Sequence, residues 1–303
     1  MTISKDLSPV IFGMAGTTLT AEETEFFREV QPYGYILFAR NCDNPQQIKD
    51  LTAVLREISG RDDLPILIDQ EGGRVARLKP PHFPAFPPAA QFAKLAETDL
   101  EAAKKAVYDN ALSIANMLIK LGITVNCAPL ADVPIAGAHE IIGDRAFGND
   151  PQQVATLARA MADGLIAGGV TPVLKHIPGH GRAFADSHHE LPVVHTALEE
   201  LRATDFVPFK TLADLPLAMT AHVLFSAIDA ENMATVSPKA IRLIREELGF
   251  SGLLMSDDLS MKAMRGDFSE RARAVLAAGC DLVLHCNGDM AEMRAIMTGI
   301  TAD

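Results

Sequence analysis

The stretch VTPVLKHIPGHGRAFADSHHELP, residues 170–192, begins as a short apolar run and continues into a loop rich in histidine and glycine. A short, nearly continuous apolar run is typical of a β-strand that is buried on both faces. The same arrangement, an apolar run often followed by polar residues, recurs along the chain. The eight runs are VIFGMAG (10–16), YGYILFA (33–39), LPILID (64–69), ITVNCAPLADV (123–133), VTPVLKHI (170–177), LPLAMTAHVLF (215–225), SGLLMSDD (251–258) and DLVLHC (281–286).

Amphipathic segments with recognisable helix starts separate these runs. The start signals are a capping box formed by Thr20 and Glu23 and three N-caps before a first-turn proline, Asn44-Pro45, Asp150-Pro151 and Ser237-Pro238, while Gly249 is a stop signal. Eight alternations of strand and helix predict an α/β fold, a single (β/α)8 TIM barrel, with residues 1–303 forming one domain. Because the carboxyl ends of barrel strands share one face, we expect the polar ends to ring one pocket.

Composition and charge exclude several classes of partner. The formal net charge of -12 disfavours nucleic acid and anionic membranes, which are bound through clustered Lys and Arg. No apolar run approaches the roughly 20 residues that span a bilayer, and the N-terminal MTISKDLSPVIFGMAG lacks the features of a secretory signal. We therefore expect a cytoplasmic protein with a small-molecule substrate. The cysteines are far apart and form no CxxC pair, which disfavours disulfides and structural zinc: Cys42, Cys127, Cys280 and Cys286.

The histidine-rich loop has two chemical interpretations. His176 and His180 have the spacing of two metal ligands on a helix, but Pro178 and Gly179 between them break any helix, so a helical metal motif is disfavoured. A metal held by the loop itself stays an alternative. In the DSH sequence, Asp186 and His188 are two residues apart, so an extended backbone points both side chains to one face. The carboxylate can then orient the imidazole for proton transfer.

Two adjacent acids end the seventh run, LLMSDDLSM. Side chains alternate along a strand, so we expect only one of Asp257 and Asp258 to face the pocket. A pocket aspartate can act as a nucleophile, an ion-pair partner or a metal ligand. For Asp258 the alternative is a helix N-cap for the following segment.

Two further segments carry candidate binding residues. In LIDQEGGRVARL, Asp69 ends a strand, two glycines allow a tight turn, and Arg74 and Arg77 follow where we expect a short helix to begin. An aspartate and an arginine at one strand end suit sugar hydroxyls, although an ordinary turn with a surface ion pair is the alternative. In IIGDRAFG (141–148), Arg145 lies in a loop between two glycines.

Taken together, these segments resemble the β-N-acetylglucosaminidases of glycoside hydrolase family 3, in their short single-barrel bacterial form. The match extends over essentially the full length. The motifs that carry it are ILFARN (36–41), DQEGGRV (69–75), GDRAFG (143–148), KHIPGHG and DSH (175–188), SDDLSM (256–261) and AGCDLVLHCN (278–287). Two departures are Ile177, where an aromatic residue is common, and the short chain after the eighth run. We expect no second domain that could supply a proton donor, so the histidine of the loop after the fifth run is the available donor.

The resemblance implies a role for each matching residue. Asp257 is the implied nucleophile, and His188 with its partner Asp186 is the implied general acid/base dyad. Arg74 supports the residues implied to contact the N-acetylglucosamine, which are Asp69, Arg77, Arg145, Lys175 and His176.

The resemblance further implies a retaining hydrolase that removes terminal β-linked N-acetylglucosamine without metal or organic cofactor. In cytoplasmic members the substrate is an N-acetylglucosaminyl-1,6-anhydro-N-acetylmuramic acid fragment from peptidoglycan recycling. Neither nucleic acid nor membrane is an expected partner, and the chain is expected to be a monomer or a weak homodimer. The alternatives are a phosphorylase on the same scaffold, a non-enzymatic sugar-binding barrel and a metal-dependent hydrolase.

Overall fold

The structure, a computed structural model, describes residues 3–183, 185, 187 and 190–301. Its centre is a closed barrel of eight parallel strands, each hydrogen-bonded to its neighbours in chain order, with the eighth beside the first. The predicted TIM barrel is confirmed, and each strand overlaps one predicted run. The strands are β1 Ser8–Phe12, β2 Pro32–Leu37, β3 Ile66–Ile68, β4 Val125–Asn126, β5 Thr171–Ile177, β6 Leu217–Thr220, β7 Leu253–Asp258 and β8 Leu282–His285.

Helices surround the barrel, and the predicted helix signals are confirmed. The Thr20 hydroxyl accepts the Glu23 amide at 3.1 Å, while the Glu23 carboxylate accepts the Thr20 amide at 2.8 Å. Asn44, Asp150 and Ser237 also accept amides from the first turns of their helices. The helices are α1 Ala21–Val30, α2 Pro45–Ser59, α3 Ala89–Ala96, α4 Leu100–Ile119, α5 Pro151–Ala167, α6 Leu198–Ala203, α7 Phe206–Thr211, α8 Pro238–Arg242, α9 Phe268–Ala278 and α10 Met290–Thr301.

Alternating side chains of the strands build two apolar layers. In β1, Ile11 belongs to a cluster inside the barrel, whereas Val10 and Phe12 pack with residues of the surrounding helices. Every strand contributes to the inner cluster, so the barrel is filled and its floor is closed. The inner cluster comprises Ile11, Ile36, Leu67, Val125, Cys127, Val173, Leu217, Met219, Leu253, Met255, Leu282, Leu284 and Cys286. None of the described helices is long and apolar enough to cross a membrane.

The segment after β3 differs from the prediction. Instead of a short helix starting near Arg74 and Arg77, the chain forms an antiparallel hairpin of Gln70–Gly72 and Val75–Ala76. Gly72 and Gly73 lie at the turn with φ of 109° and 57°. Positive φ at consecutive turn residues favours a tight hairpin and is incompatible with a right-handed helix. The expectation of a helix at this position was therefore wrong.

Candidate active site

A cavity of about 250 Å³ opens at the carboxyl end of the barrel. The sequence predicts nine site residues, and all seven that the structure describes line this one cavity. They come from loops or strand ends after β3, β4, β5 and β7, as expected where the strand ends share a face. These residues are Asp69, Arg74, Arg77, Arg145, Lys175, His176 and Asp257.

Lys175 is the centre of a buried charge network. Its Nζ lies 2.9 Å from Asp69 Oδ1 and 2.7 Å from Glu71 Oε1, and its side chain is only 3% exposed. Arg77 pairs with the other oxygen of Asp69 at 2.9 Å. Arg145 forms a two-pronged pair with Glu71, Nε to Oε2 at 2.9 Å and Nη2 to Oε1 at 2.7 Å. Three cations thus share two carboxylates, which holds every side chain in one orientation.

The network keeps its charges over a wide pH range. Burial on its own raises the pKa of both carboxyls, but Lys175 and Arg77 together hold the pKa of Asp69 well below its ordinary value. Lys175 and Arg145 likewise lower the pKa of Glu71 to about 2. Burial lowers the pKa of Lys175, but Asp69 and Glu71 outweigh it and raise that pKa above the ordinary lysine value. The charges are therefore fixed at neutral pH and can orient polar groups of a ligand.

Arg74 acts on a neighbouring backbone segment. Its guanidinium donates to the carbonyls of Glu140 and Ile141 at 2.6 and 2.9 Å, and it pairs with Asp144 at 2.7 Å. This segment leads directly into Arg145. Arg74 thereby holds the loop that carries the cavity residue Arg145.

Asp257 and Asp258 both line the cavity at the end of β7. The expectation that only one of them faces it was wrong. The register of β7 against β8 shifts between Met255 and Asp258, which interrupts the strict alternation of side chains. Asp257 is 7% exposed, and its Oδ1 accepts the Asp258 amide at 2.8 Å.

Asp258 has a structural set of partners. It accepts the Ser260 amide and the Cys286 amide, each at 3.1 Å, and thereby ties the turn after β7 to β8. It caps a turn rather than the predicted helix, since the next helix, α9, begins only at Phe268.

The histidine-rich loop is anchored by hydrogen bonds to a buried acid. Asp132, fully buried after β4, accepts from His176 Nδ1 at 2.8 Å and from the His180 amide at 2.7 Å. Burial lowers the pKa of His180 to about 4, so its ring is neutral at physiological pH. His180 Nε2 lies 3.3 Å from the hydroxyl of Ser187, which also lines the cavity.

The predicted acid/base pair, Asp186 and His188, lies outside the described residues. The middle residue of the DSH motif, Ser187, is described and is buried beside His180. Its carbonyl accepts the Ala263 amide of the segment after β7 at 3.3 Å. Ser187 itself is therefore tied to the segment that follows the strand carrying Asp257.

Two buried acids of the site were missed by sequence reasoning. Glu71 stands two residues after Asp69, a spacing that points both side chains of an extended backbone to one face. Asp132 ends the fourth apolar run, like the polar residues that end β3, β5 and β7. Their position at strand ends was the available signal. Within the ranges that the structure describes, no three side chains of His, Cys, Asp or Glu are arranged to hold a metal ion.

The family of the chain follows from comparison with known proteins. Residues 9–302 match the glycosyl hydrolase family 3 N-terminal domain. The chain belongs to glycosyl hydrolase family 3. The β-hexosaminidase of Bordetella pertussis is 38% identical over 94% of this chain and 81% of its own length. That of Methylococcus capsulatus is 41% identical over 91% of this chain and 82% of its own length.

Solved structures of similar proteins have the same architecture. NagZ from Neisseria gonorrhoeae, in complex with N-trifluoroacetyl-D-glucosamine, is 34% identical with a TM-score of 0.88, covering 96% of this chain and 84% of that one. A family 3 β-N-acetylglucosaminidase from Paenibacillus is 32% identical with a TM-score of 0.90, covering 100% of this chain and 58% of that one. The predicted resemblance is confirmed, as is the enzyme class, a glycoside hydrolase of the β-N-acetylhexosaminidase type.

Proposed function

We propose that this family 3 enzyme is a retaining exo-β-N-acetylglucosaminidase and that residues 1–303 act as one catalytic domain. The observation that carries the proposal is the convergence of the seven described site residues on one cavity. That cavity combines a nearly buried carboxylate, Asp257, with an ordered network of charged donors and acceptors. Such a pocket suits a sugar, whose hydroxyls need several oriented hydrogen-bonding partners at once.

In the proposed reaction Asp257 attacks the anomeric carbon and forms a covalent glycosyl ester. The bond to the leaving oxygen breaks as His188, oriented by Asp186, protonates that oxygen. His188 then takes a proton from water, which attacks the same carbon and releases Asp257. Two displacements on one carbon retain its β configuration.

The residues of the charge network are proposed to bind the terminal sugar. Asp69, Arg77, Arg145, Lys175 and His176 line the cavity with Asp257. The four charged residues form ion pairs with one another or with Glu71, and Asp132 holds His176. All five are therefore oriented before the substrate arrives, so little conformational entropy is lost on binding. The chemistry uses side chains alone, and we propose that no cofactor is required.

The proposed substrate is N-acetylglucosaminyl-1,6-anhydro-N-acetylmuramic acid, with or without its peptide, in peptidoglycan recycling. The deciding experiment incubates the enzyme with the purified anhydro-muropeptide and follows the released sugar by ¹H NMR. We expect free N-acetylglucosamine that appears first as the β-anomer. An α-anomer at early times would contradict the double displacement. N-Acetylglucosamine 1-phosphate, formed in phosphate buffer, would identify a phosphorylase instead.

The cellular setting is part of the proposal. We propose a cytoplasmic enzyme that acts as a monomer or weak homodimer, with neither nucleic acid nor membrane as partner. The net charge of -12 supports the absence of polyanionic partners. Cell fractionation and sedimentation velocity test the compartment and the oligomeric state.

A further inference from the structure

Asp132 is a buried acid that the proposed mechanism does not use. It lies after β4, is 0% exposed, and directs both carboxylate oxygens at residues 176–180. Oδ2 lies 2.8 Å from His176 Nδ1, while Oδ1 accepts the amides of His176 and His180 at 3.3 and 2.7 Å. A buried carboxylate without partners is strongly destabilising, so these three donors explain why it is tolerated here.

The partners of Asp132 determine which nitrogen of His176 carries a proton. Burial raises the pKa of the Asp132 carboxyl, but His176 and the His180 contacts outweigh burial and hold that pKa below its ordinary value. An ionised carboxylate only accepts hydrogen bonds, so Nδ1 of His176 must donate. The other ring nitrogen, Nε2, lies on the opposite edge of a ring that lines the cavity.

We propose that Asp132 is a positioning residue for sugar recognition. It holds a proton on His176 Nδ1 and so presents Nε2 to the sugar, while its second oxygen fixes the backbone where the segment carrying His188 begins. The inference rests on the proposed function, in which His176 contacts the sugar. One buried carboxylate thus orders both the binding histidine and the start of the loop that bears the proton donor.

The variant Asp132→Asn separates the two roles. Two backbone amides point at the Oδ1 position, so the carboxamide oxygen stays there and its NH₂ group takes the Oδ2 position. The NH₂ group then donates to His176 Nδ1 and displaces the proton to Nε2. The anchor of the loop is retained and the tautomer of His176 is inverted. Asp132→Ala removes both the anchor and the tautomer control.

The first test is ¹⁵N NMR of histidine-labelled enzyme, with the His176 signals assigned from the spectrum of His176→Ala. We expect a protonated Nδ1 in the wild type and a protonated Nε2 with unprotonated Nδ1 in Asp132→Asn. An unprotonated Nδ1 in the wild type would overturn the inference, as would an unchanged tautomer in the variant. This measurement does not depend on enzymatic activity.

The second test is a double-mutant cycle of Asp132→Asn and His176→Ala, measured as kcat/KM on an aryl N-acetylglucosaminide. Alone, Asp132→Asn should lower kcat/KM roughly 10- to 100-fold, mostly through KM, by analogy with the loss of a partner that orients a metal-ligating histidine. In the His176→Ala background, Asp132→Asn should lower kcat/KM less than about 2-fold, because the residue through which Asp132 acts is absent.

Each other outcome of the cycle has a defined meaning. Equal losses in both backgrounds would show a general structural role for Asp132 and overturn the inference while leaving the proposed function intact. Full activity of His176→Ala would overturn the proposed sugar contact of His176, and with it the inference, while the proposed glycosidase activity would stand. Thermal unfolding of each variant checks the fold, and Asp132→Ala should unfold at a lower temperature than Asp132→Asn because it loses the His180 anchor.

Discussion

At the scale of single residues, the candidate site consists of a few side chains whose orientation is set by neighbours that sequence motifs do not reveal. Asp257 and Lys175 were both predicted from motifs at strand ends. Glu71, which orients Lys175 and Arg145, and Asp132, which orients His176, were not. Motifs identified the candidate site residues, whereas the partners that hold them come from distant parts of the chain and become visible only when the fold brings them together.

The first prediction concerns the proposed nucleophile. Asp257→Ala should lower kcat on an aryl N-acetylglucosaminide roughly 10⁴- to 10⁶-fold, since no covalent intermediate can form. The fold should persist, because the strand around it is held by backbone pairing and apolar packing. Thermal unfolding checks this. The matched control is Asp214→Asn, at an exposed carboxylate paired with Arg159 far from the cavity, which should keep full activity.

Wild-type-like turnover by Asp257→Ala would refute the assignment of the nucleophile. Loss of activity in Asp214→Asn as well would show that the assay reports general instability rather than chemistry.

The second prediction concerns the proposed proton donor, His188. Protonation of the leaving oxygen is worth roughly 10²- to 10⁴-fold, but an activated aryl group departs without it. His188→Ala should therefore lose far more activity on an anhydro-muropeptide than on a nitrophenyl glycoside, measured as kcat/KM for each. Equal losses on the two substrates would argue against an acid role.

At the scale of secondary-structure elements, the hairpin after β3 places two residues of the charge network at the cavity. It carries Glu71 in its first strand, and Arg77 follows its second strand. The turn is tightly enclosed, since a Cβ on Gly73 would lie 2.6 Å from the Cβ of Pro88. The hairpin therefore has one position relative to the start of α3, and that position sets the geometry of the ion pairs.

The third prediction compares two glycines of similar backbone conformation. Gly73 and Gly60 have φ of 57° and 64°, but nothing lies within 4 Å of a Cβ built on Gly60. Gly60→Ala should cost about 1–2 kcal/mol of unfolding free energy from the left-handed backbone alone. Gly73→Ala should cost about 1–3 kcal/mol more, because the new methyl group collides with Pro88.

Because the hairpin must shift, Gly73→Ala should also raise KM, whereas Gly60→Ala should leave KM unchanged. Urea unfolding and steady-state kinetics measure the two effects. Equal stability losses without a change in KM would show that the hairpin is not held by this contact.

At the scale of the whole molecule, the buried ionisable groups determine how stability responds to pH. Burial lowers the pKa of His180 to about 4 and also lowers the pKa of His222. In the unfolded chain these rings take up protons near pH 6.5, whereas in the folded protein they resist protonation. Falling pH therefore favours the unfolded state from about pH 6.5 downwards, and the contribution of His180 is on the order of 3 kcal/mol by about pH 4.

The fourth prediction is a two-stage loss of stability in acid. Asp69 and Glu71 have lowered pKa values in the folded state, so their contribution is complete above about pH 5 and is lost as the pH falls further. Tm should decline first between about pH 6.5 and 4, from the histidines, and more steeply below pH 4. Calorimetry over pH 8 to 3 measures the change in Tm. A constant Tm between pH 7 and 5 would contradict the conclusion that the buried histidines are neutral in the folded protein.

The sequence by itself determined the barrel and the candidate site residues at its strand ends. Strand runs, helix caps and polar strand ends are local patterns, since each arises from interactions within a few residues along the chain. They were sufficient to predict eight strands, the helix starts and one shared pocket.

Only the tertiary structure decided how the site is held together. The pairing of Glu71 with Arg145 and Lys175 and the contact of Asp132 with His176 join segments far apart in sequence. The physical reason is that a charge is stabilised by the polar and charged groups within a few ångströms of it. Only the closure of the barrel decides which groups those are.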